Sequence, residues 1–270
     1  MELSGRIALL TGASRGLGRA LALRLGAAGC RLALCARDGA TLEQTLGDVR
    51  RVGVAEARSF PADLRRLDTL PELVTRIENE FGPIDVLVNN AGVTTAGPFT
   101  TIPVASIEAI FTVNALAPTI LARHVLVHML KRGRGALVFV SSGAGLRGLP
   151  DYAPYSAAKA AIGALTDALR AELRGTGVHV LTVYPGKLRT DFDARAEYFG
   201  TARRPPAGGR DPEAVAGRIV DAIRHNRAVL TIGLTPTVTA ILSRLAPTVV
   251  DALLAARARR GCSPAKGDGH

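Results

Sequence analysis

Residues 6–18 read RIALLTGASRGLG: an apolar run from Arg6 to Thr11, then a turn with glycines at 12, 16 and 18. A helical pattern, Leu17 to Ala28, begins inside that turn. Strand, glycine-rich turn and helix in direct succession make a cradle for phosphate. Glycine lets the backbone turn sharply and approach a diphosphate, and the helix N-terminus behind it favours the negative charge. The spacing is G-x-x-x-G-x-G, not the general dinucleotide fingerprint G-x-G-x-x-G. Taken alone, the turn can therefore also be read as an ordinary glycine-rich connection.

From this first unit the same rhythm continues along the chain. Short apolar runs at Arg31 to Ala36, Ala55 to Phe60, Asp85 to Asn89, Ala136 to Ser141, His179 to Tyr184 and Val229 to Ile232 read as strands. Helical patterns fall between them at Thr41 to Val52, Thr69 to Phe81, Val104 to Lys131, Tyr155 to Arg174 and Pro212 to His225. Most strands are apolar almost throughout, as in a parallel sheet covered by helices on both faces. The expected fold class is α/β, a single doubly wound (Rossmann-like) domain with a central parallel sheet of about seven strands. Residues 1–235 are expected to form this one nucleotide-binding domain, and 236–270 a C-terminal helical extension and basic tail packed on it. Residues 190–210 break the rhythm with Phe192, Tyr198 and Phe199 among charges, and are expected to form a lid over the ligand crevice.

Composition narrows the function. The 270 residues are 47% hydrophobic and 21% charged, with glycine and proline scattered, which excludes a disordered or fibrous chain. The longest nearly uncharged stretch, Ala228 to Ser243, contains four Thr and falls short of a spanning helix, so no transmembrane helix is expected. The first residues carry no secretory pattern, and Cys30, Cys35 and Cys262 make neither a disulfide framework nor a zinc site; both features fit a reducing cytoplasm. The net charge of +11 would attract polyanions. However, the basic residues are spread along the chain and aromatics are only 4%, so no nucleic-acid partner is expected. His124, His128, His179 and His225 show no ligand spacing, and no metal is expected.

A second constellation is Tyr155-Ser156-Ala157-Ala158-Lys159, whose spacing puts Tyr155 and Lys159 on one helix face. Only Lys131, Lys159, Lys187 and Lys266 interrupt a chain whose other basic residues are arginine, and the compact ammonium of lysine is one reason to use it in an ordered segment. The strand Ala136 to Ser141 leads to Ser142, and Tyr155 opens the next helix. Both positions, like the Gly12 turn, face the crevice at the carboxyl ends of a parallel sheet.

With these residues in place, the chain resembles the short-chain dehydrogenase/reductase family over its length to about residue 235. The cofactor turn matches at Thr11, Gly12, Gly16 and Gly18, and the adenine-side acid at Asp63-Leu64. The motif ending the fourth strand matches at Asn89-Asn90-Ala91-Gly92. The catalytic tetrad matches at Asn114, Ser142, Tyr155 and Lys159, and the nicotinamide-side loop at Pro185-Gly186 and Thr190. The resemblance implies that Tyr155 gives a proton to a carbonyl oxygen, or takes one in oxidation, as hydride passes to or from a nicotinamide. Ser142 would hold the substrate oxygen, Lys159 the ribose hydroxyls, and Asn114 a relay water; a buried Asn at a helix kink is the other reading of Asn114. Ser141 competes with Ser142 for the serine role, and the family interval to the tyrosine favours Ser142. An ammonium about 4 Å away is worth roughly 4 kcal/mol at an effective dielectric near 20. That is enough to draw the Tyr155 hydroxyl well below its ordinary range.

The resemblance further assigns cofactor contact to Ser14, Arg15, Leu17, Arg37, Asn90, Ala91, Gly92 and Leu188, beside the motif residues already named. NADP is expected over NAD, because the family's acid position after the second strand is Ala36, while Arg37 and Arg15 can grip a 2′-phosphate. Asp38 would serve as the ribose acid if that strand ran two residues further. Ala144, Leu146, Leu149, Tyr152 and Leu188, with Ser142 and Tyr155, are the expected substrate wall, mostly apolar and suited to a hydrophobic ketone. A nucleotide-binding regulatory or scaffold protein without turnover is the alternative, and the intact tetrad argues against it. The long helices Val104 to Lys131 and Tyr155 to Arg174 carry surplus apolar positions, which implies a homodimer or homotetramer. Thr237 to Leu245 and Thr248 to Ala256, followed by Arg257, Arg259 and Arg260, could meet an anionic membrane, a subunit or the substrate pocket, and soluble packing is the preferred reading.

Overall fold

The computed structural model describes residues 1–54, 56–206, 208–233, 238, 242–243 and 245–261, with side chains as far as Ala256. A seven-stranded sheet runs in the order β3-β2-β1-β4-β6-β7-β9, where β1 is Ile7–Thr11, β2 Arg31–Cys35, β3 Ala57–Ser59, β4 Val86–Asn89, β6 Gly135–Val140, β7 Val178–Pro185 and β9 Val229–Ile232. Every neighbouring pair is parallel. All five residues of β1 and all six of β6 are buried, so neither face of the sheet meets water, which explains why these strands do not alternate.

One face packs on α1 (Gly16–Ala27), α2 (Gly39–Arg51) and α7 (Pro212–Arg224), through Leu21, Leu25, Leu42, Leu46, Ile219 and Ile223. The other packs on α3 (Leu70–Glu80), α5 (Ala117–Arg132) and α6 (Ala153–Glu172), through Leu70, Ile77, Leu121, Val125, Met129 and Ile162. Strand order reverses between β1 and β4, and at that switch point the loops leaving the carboxyl ends spread apart to form a crevice.

The observed bounds fall within about two residues of the sequence reading for most elements. The predicted strand from Ala55 begins at Ala57, and Ala55 itself lies outside the described residues. The predicted helix Val104 to Lys131 is three pieces: α4 (Val104–Phe111), a π-helical turn (Thr112–Leu116) and α5. Pro118 has no N–H to give to the carbonyl four residues back, that of Asn114, so regular α-helical bonding cannot run through this point. The run 104–132 is long and apolar enough by composition to cross a membrane, which the sequence reading did not anticipate. Here its Leu121, Val125 and Met129 are part of the core against the sheet.

The segment 190–210 is held in place. Its β8 (Glu197–Tyr198) pairs in parallel with β5 (Thr95–Ala96) as a second, two-stranded sheet. Phe199 N donates to Ala96 O at 2.9 Å, Ser106 Oγ to Glu197 at 2.9 Å, and Leu188 and Arg210 form a parallel bridge at the segment's base. A last helix, α8 (Pro247–Gly261), includes the apolar stretch Thr248 to Ala256. Most of the stretch Thr237 to Leu245, Cys262, and the side chains of Arg257, Arg259 and Arg260 lie outside the described residues.

Candidate active site

The crevice is a cleft of about 1510 Å³ that runs from the post-β2 turn, past the glycine turn, to the segment 190–210. At its centre the glycine turn meets the end of β4. Gly12 (φ +64°) leaves room for neither a side chain nor a shift: a Cβ there would lie 2.8 Å from Ala91 Cα. A Cβ on Gly18 would lie 1.9 Å from the Gly12 carbonyl oxygen, so α1 can start this close to β1 only with glycine. Asn90 Nδ2 donates to the carbonyls of Thr11 and Gly12 at 3.0 and 3.3 Å, while Asn90 N and Ala91 N donate to Thr11 Oγ1 at 3.0 and 3.1 Å. Thr11 therefore ties the two turns together through a hydroxyl that the sequence reading treated only as the motif's first letter.

The N-terminus of α1 fits a diphosphate. Arg15 at its cap makes no side-chain capping bond and no acid stands in the first turn, so the positive end of the helix is not neutralised by its own side chains. Ser14, Gly16, Leu17, Pro185, Gly186 and Thr190 line the same stretch of cleft, with the Thr190 methyl 3.2 Å from where a Cβ on Gly16 would be.

At the far end, Ala36, Arg37, Asp63, Leu64 and Arg65 surround the place where an adenosine would sit. The second strand ends at Cys35, and Asp38 is the N-cap of α2, accepting from Ala40 N and Thr41 N at 3.1 and 3.3 Å. The Thr41 side chain, together with these backbone bonds, holds its carboxyl below the usual range, and the register puts Ala36, not Asp38, next to the strand end. Two features were not legible in the sequence. Asp63 is engaged by Arg65 from its Nε and Nη2, at 2.5 to 3.1 Å, and this holds the Asp63 carboxyl low. Arg15 stands between two acids, Asp191 at 3.4 Å and Asp38 at 4.0 Å.

Catalytic candidates converge on the middle of the cleft. Ser142 and Tyr155 line it, and the Ser142 hydroxyl acts to lower the proton affinity of Tyr155. Ser142 Oγ also accepts from Ala144 N at 3.2 Å, which fixes its rotamer. Its neighbour Ser141 is buried and donates to the Lys159 carbonyl at 2.8 Å, a fastening between β6 and α6 that turns it away from the site. Lys159 is only 4% exposed; its Nζ donates to Val140 O at 2.9 Å and lies 5.9 Å from the Tyr155 ring centroid.

Burial sets the proton affinities here. It pushes the Tyr155 hydroxyl up to about 12, opposed by the Ser142 hydrogen bond and reinforced by the carboxylate of Asp193, and it pushes Lys159 down to about 8. The expected lowering of Tyr155 by Lys159 is thus not what this geometry gives: desolvation dominates, and the ammonium is turned toward a backbone carbonyl.

Asn114 lies in the π-turn beneath this floor and does not line the cleft. Its Nδ2 donates to Val93 O at 2.8 Å and Ile110 O at 3.0 Å, and its Oδ1 accepts from Val93 N at 3.2 Å. Gly92 is pressed between the two: a Cβ there would lie 2.8 Å from Asn114 Oδ1 and 3.6 Å from Lys159 Nζ. Hence the Asn114 side chain locks the helix break to the segment after β4, and its backbone carbonyl is the one that Pro118 leaves without an α-helical donor.

Of the expected substrate wall, Ala144, Leu149, Tyr152 and Leu188 line the cleft, and Leu146 does not. Leu146 follows a 3₁₀ turn (Gly143–Gly145) and lies two residues beyond the inward-facing Ala144, two-thirds of a turn around. Lys187, Asp191, Asp193, Arg195, Arg203 and Arg210 line the same cleft. Lys187 faces Asp193 at 3.7 Å, and Arg195 faces Asp191 at 2.7 Å. Phe192 was missed as a site residue: its ring stands 6.2 Å from that of Tyr155 at 53° and closes one side of the reaction centre.

The sequence pattern of the family described as short chain dehydrogenase matches residues 6–198. The chain is 37% identical to the ketoacyl reductase HetN of Nostoc sp., over 92% of this chain and 88% of that relative. A metagenomic short-chain oxidoreductase solved in complex with NADP is similar with a TM-score of 0.72 at 32% identity, over 87% of this chain and 100% of that one. A short chain dehydrogenase/reductase from Burkholderia phymatum, solved in complex with NAD, shares the fold with a TM-score of 0.84 at 24% identity, over 92% and 96%.

Proposed function

The chain belongs to the short chain dehydrogenase family, and from that premise we propose that it is a cytoplasmic NADPH-dependent oxidoreductase, in which the nicotinamide supplies hydride to the carbonyl carbon of a hydrophobic ketone. The observation that carries this reading is the hydroxyl pair of Tyr155 and Ser142 in the same cleft as the glycine turn, with Lys159 buried behind it. Ser142, fixed by Ala144 N, donates to the substrate oxygen as negative charge grows on it. Tyr155 delivers the proton to that oxygen. A hydroxyl whose affinity is raised by burial holds its proton across the neutral range, which is the form that reduction of a carbonyl requires. Lys159, one helical turn beyond Tyr155, holds the ribose and re-supplies the proton, and Asn114 in the π-turn extends that route through a water.

NADPH is preferred because Ala36 removes the acid that would hold an unphosphorylated ribose, while Arg37 and Arg15 bring cations to the same corner. A relative named as a ketoacyl reductase and a neighbour solved with NADP support the ketone and the cofactor. Val104, Leu116, Val127 and Leu130 stand exposed along α4, the π-turn and α5, the first of the two long helices expected to pair, which supports a homodimer or homotetramer with a two- or four-fold mass in light scattering. The test of function is NADPH oxidation by the purified protein with a panel of aliphatic, aromatic and β-ketoacyl ketones. Turnover of at least one supports the reading, and tight NADPH binding without any turnover overturns it in favour of a nucleotide-binding scaffold.

A further inference from the structure

The C-terminal helix α8 reaches the substrate half of the cleft. Arg147 forms an ion pair with Asp251 across 104 positions of sequence, and Leu254 lines the cleft together with Tyr155 and Leu149. Val250 is buried at 4% exposure, and with Leu254 four residues on it forms the inward stripe of α8, while Val249 and Leu253 point outward. Arg147 belongs to the loop that begins at Ser142; its N–H donates to Gly143 O at 3.4 Å, and its side chain is itself part of the cleft wall. The Asp251 carboxylate therefore does two things at once. It anchors α8 to the loop that carries the substrate-holding serine, and it neutralises a guanidinium that would otherwise make this end of the pocket cationic.

We propose that α8 is the outer wall of the substrate pocket, and that Leu254 is a specificity-determining residue, positioned by the Arg147–Asp251 pair, which selects ketones bearing an extended apolar group beyond the reacting carbon. The inference rests on the oxidoreductase reading above and deepens it: the reacting end of the substrate lies at Tyr155 and Ser142, and its apolar end runs toward Leu149 and Leu254. Neither Leu254 nor Asp251 touches the reacting atoms. Their effect falls on KM for long substrates and leaves the chemical step alone.

The experiment is the kcat/KM profile of the full-length protein across unbranched methyl ketones of increasing length. In the unmodified protein kcat/KM rises with length. Leu254→Ala lowers it about tenfold for the longest ketones, through KM, and leaves the shortest unchanged; Leu254→Ile keeps most of the long-chain preference. Asp251→Asn gives the same selective loss, and the charge exchange Arg147→Asp with Asp251→Arg restores it. A flat length profile in the unmodified protein, or a Leu254→Ala profile that matches it, overturns this inference while leaving the oxidoreductase reading intact. Absence of turnover with every ketone overturns both. Equal losses for short and long ketones on Asp251→Asn, unrelieved by the charge exchange, overturn the positioning role of the pair.

Discussion

Arg15 of the glycine turn and Asp191 of the segment 190–210 form an ion pair at 3.4 Å across 176 positions of sequence, with Asp38 on the other side of the same guanidinium at 4.0 Å. One cation thus links the cofactor end of the cleft to the substrate end. A phosphate that takes Arg15 has to compete with both carboxylates. Both partners are partly exposed, so the competition is modest, within the range of about 0.2–1 kcal/mol found for such pairs.

Asp191→Asn should therefore tighten NADPH about threefold, in keeping with the strength of one partly exposed pair. NADH affinity should stay unchanged. Fluorescence titration of the reduced cofactors checks this, and equal tightening of both would show that Asp191 does not act through the 2′-phosphate.

Cofactor choice should lie at Ala36 and Arg37 and not at Asp38. Ala36→Asp combined with Arg37→Ala should reverse an NADPH preference of at least about tenfold in kcat/KM, a change of about 1.4 kcal/mol or more. Asp38→Asn, which keeps an α2 cap, should leave the ratio of the two cofactors as it was. A loss of NADH use in Asp38→Asn would make Asp38 the ribose acid.

Tyr155→Phe should lower kcat by at least about a hundredfold, the smallest effect usual for a general acid, while the Kd for NADPH changes little. The ring that packs against Phe192 is kept, and only the hydroxyl is lost. Single-turnover kinetics beside a cofactor titration would separate the two effects.

The buried ammonium gives a prediction for stability against pH. Lys159 is pushed down to about 8 from an ordinary 10.5, so between those values the unfolded chain binds more protons at this site than the folded one. Its contribution to stability is complete above 10.5 and is lost as pH falls through 8. Tyr155, raised from 10 to about 12, acts oppositely: its contribution is complete below 10 and is lost as pH rises through 12. Urea unfolding of the unmodified protein and of Lys159→Met, compared from pH 7 to 10, should show the stability difference moving in favour of the unmodified protein as pH rises. A constant difference would mean that Lys159 keeps its ordinary proton affinity when folded.

The sheet and the reaction centre were legible because each rests on local pattern. Apolar runs of five or six residues, the glycines at 12, 16 and 18, and the four-residue interval from Tyr155 to Lys159 all fall within single elements, where period and spacing carry the information. What stayed hidden depends on distant partners. Nothing near Arg15 announces Asp191, and nothing near Arg147 announces Asp251. Two-residue strands such as Thr95–Ala96 are too short for any periodicity to register. The π-turn was the exception, for Pro118 four residues after Asn114 was a visible signal inside an otherwise uniform helical run. The proton affinity of Tyr155 was misjudged for a different reason: a pairwise distance can be guessed from helix geometry, but the depth of burial that outweighs it cannot.

The parallel pairing of β5 with β8 also bears on the order in which the chain acquires its structure. Its two strands are about a hundred residues apart and share only two register positions, so the loop they close costs much entropy for little return. They can come together only after β4, β6 and β7 have aligned and brought residues 95 and 197 to the same edge. The segment 190–210 should thus be the last part of the domain to form and the first to open under mild denaturant. Amide hydrogens of Phe199 and Gly97 should exchange through local fluctuations, while those of β1 and β6 exchange only with global unfolding.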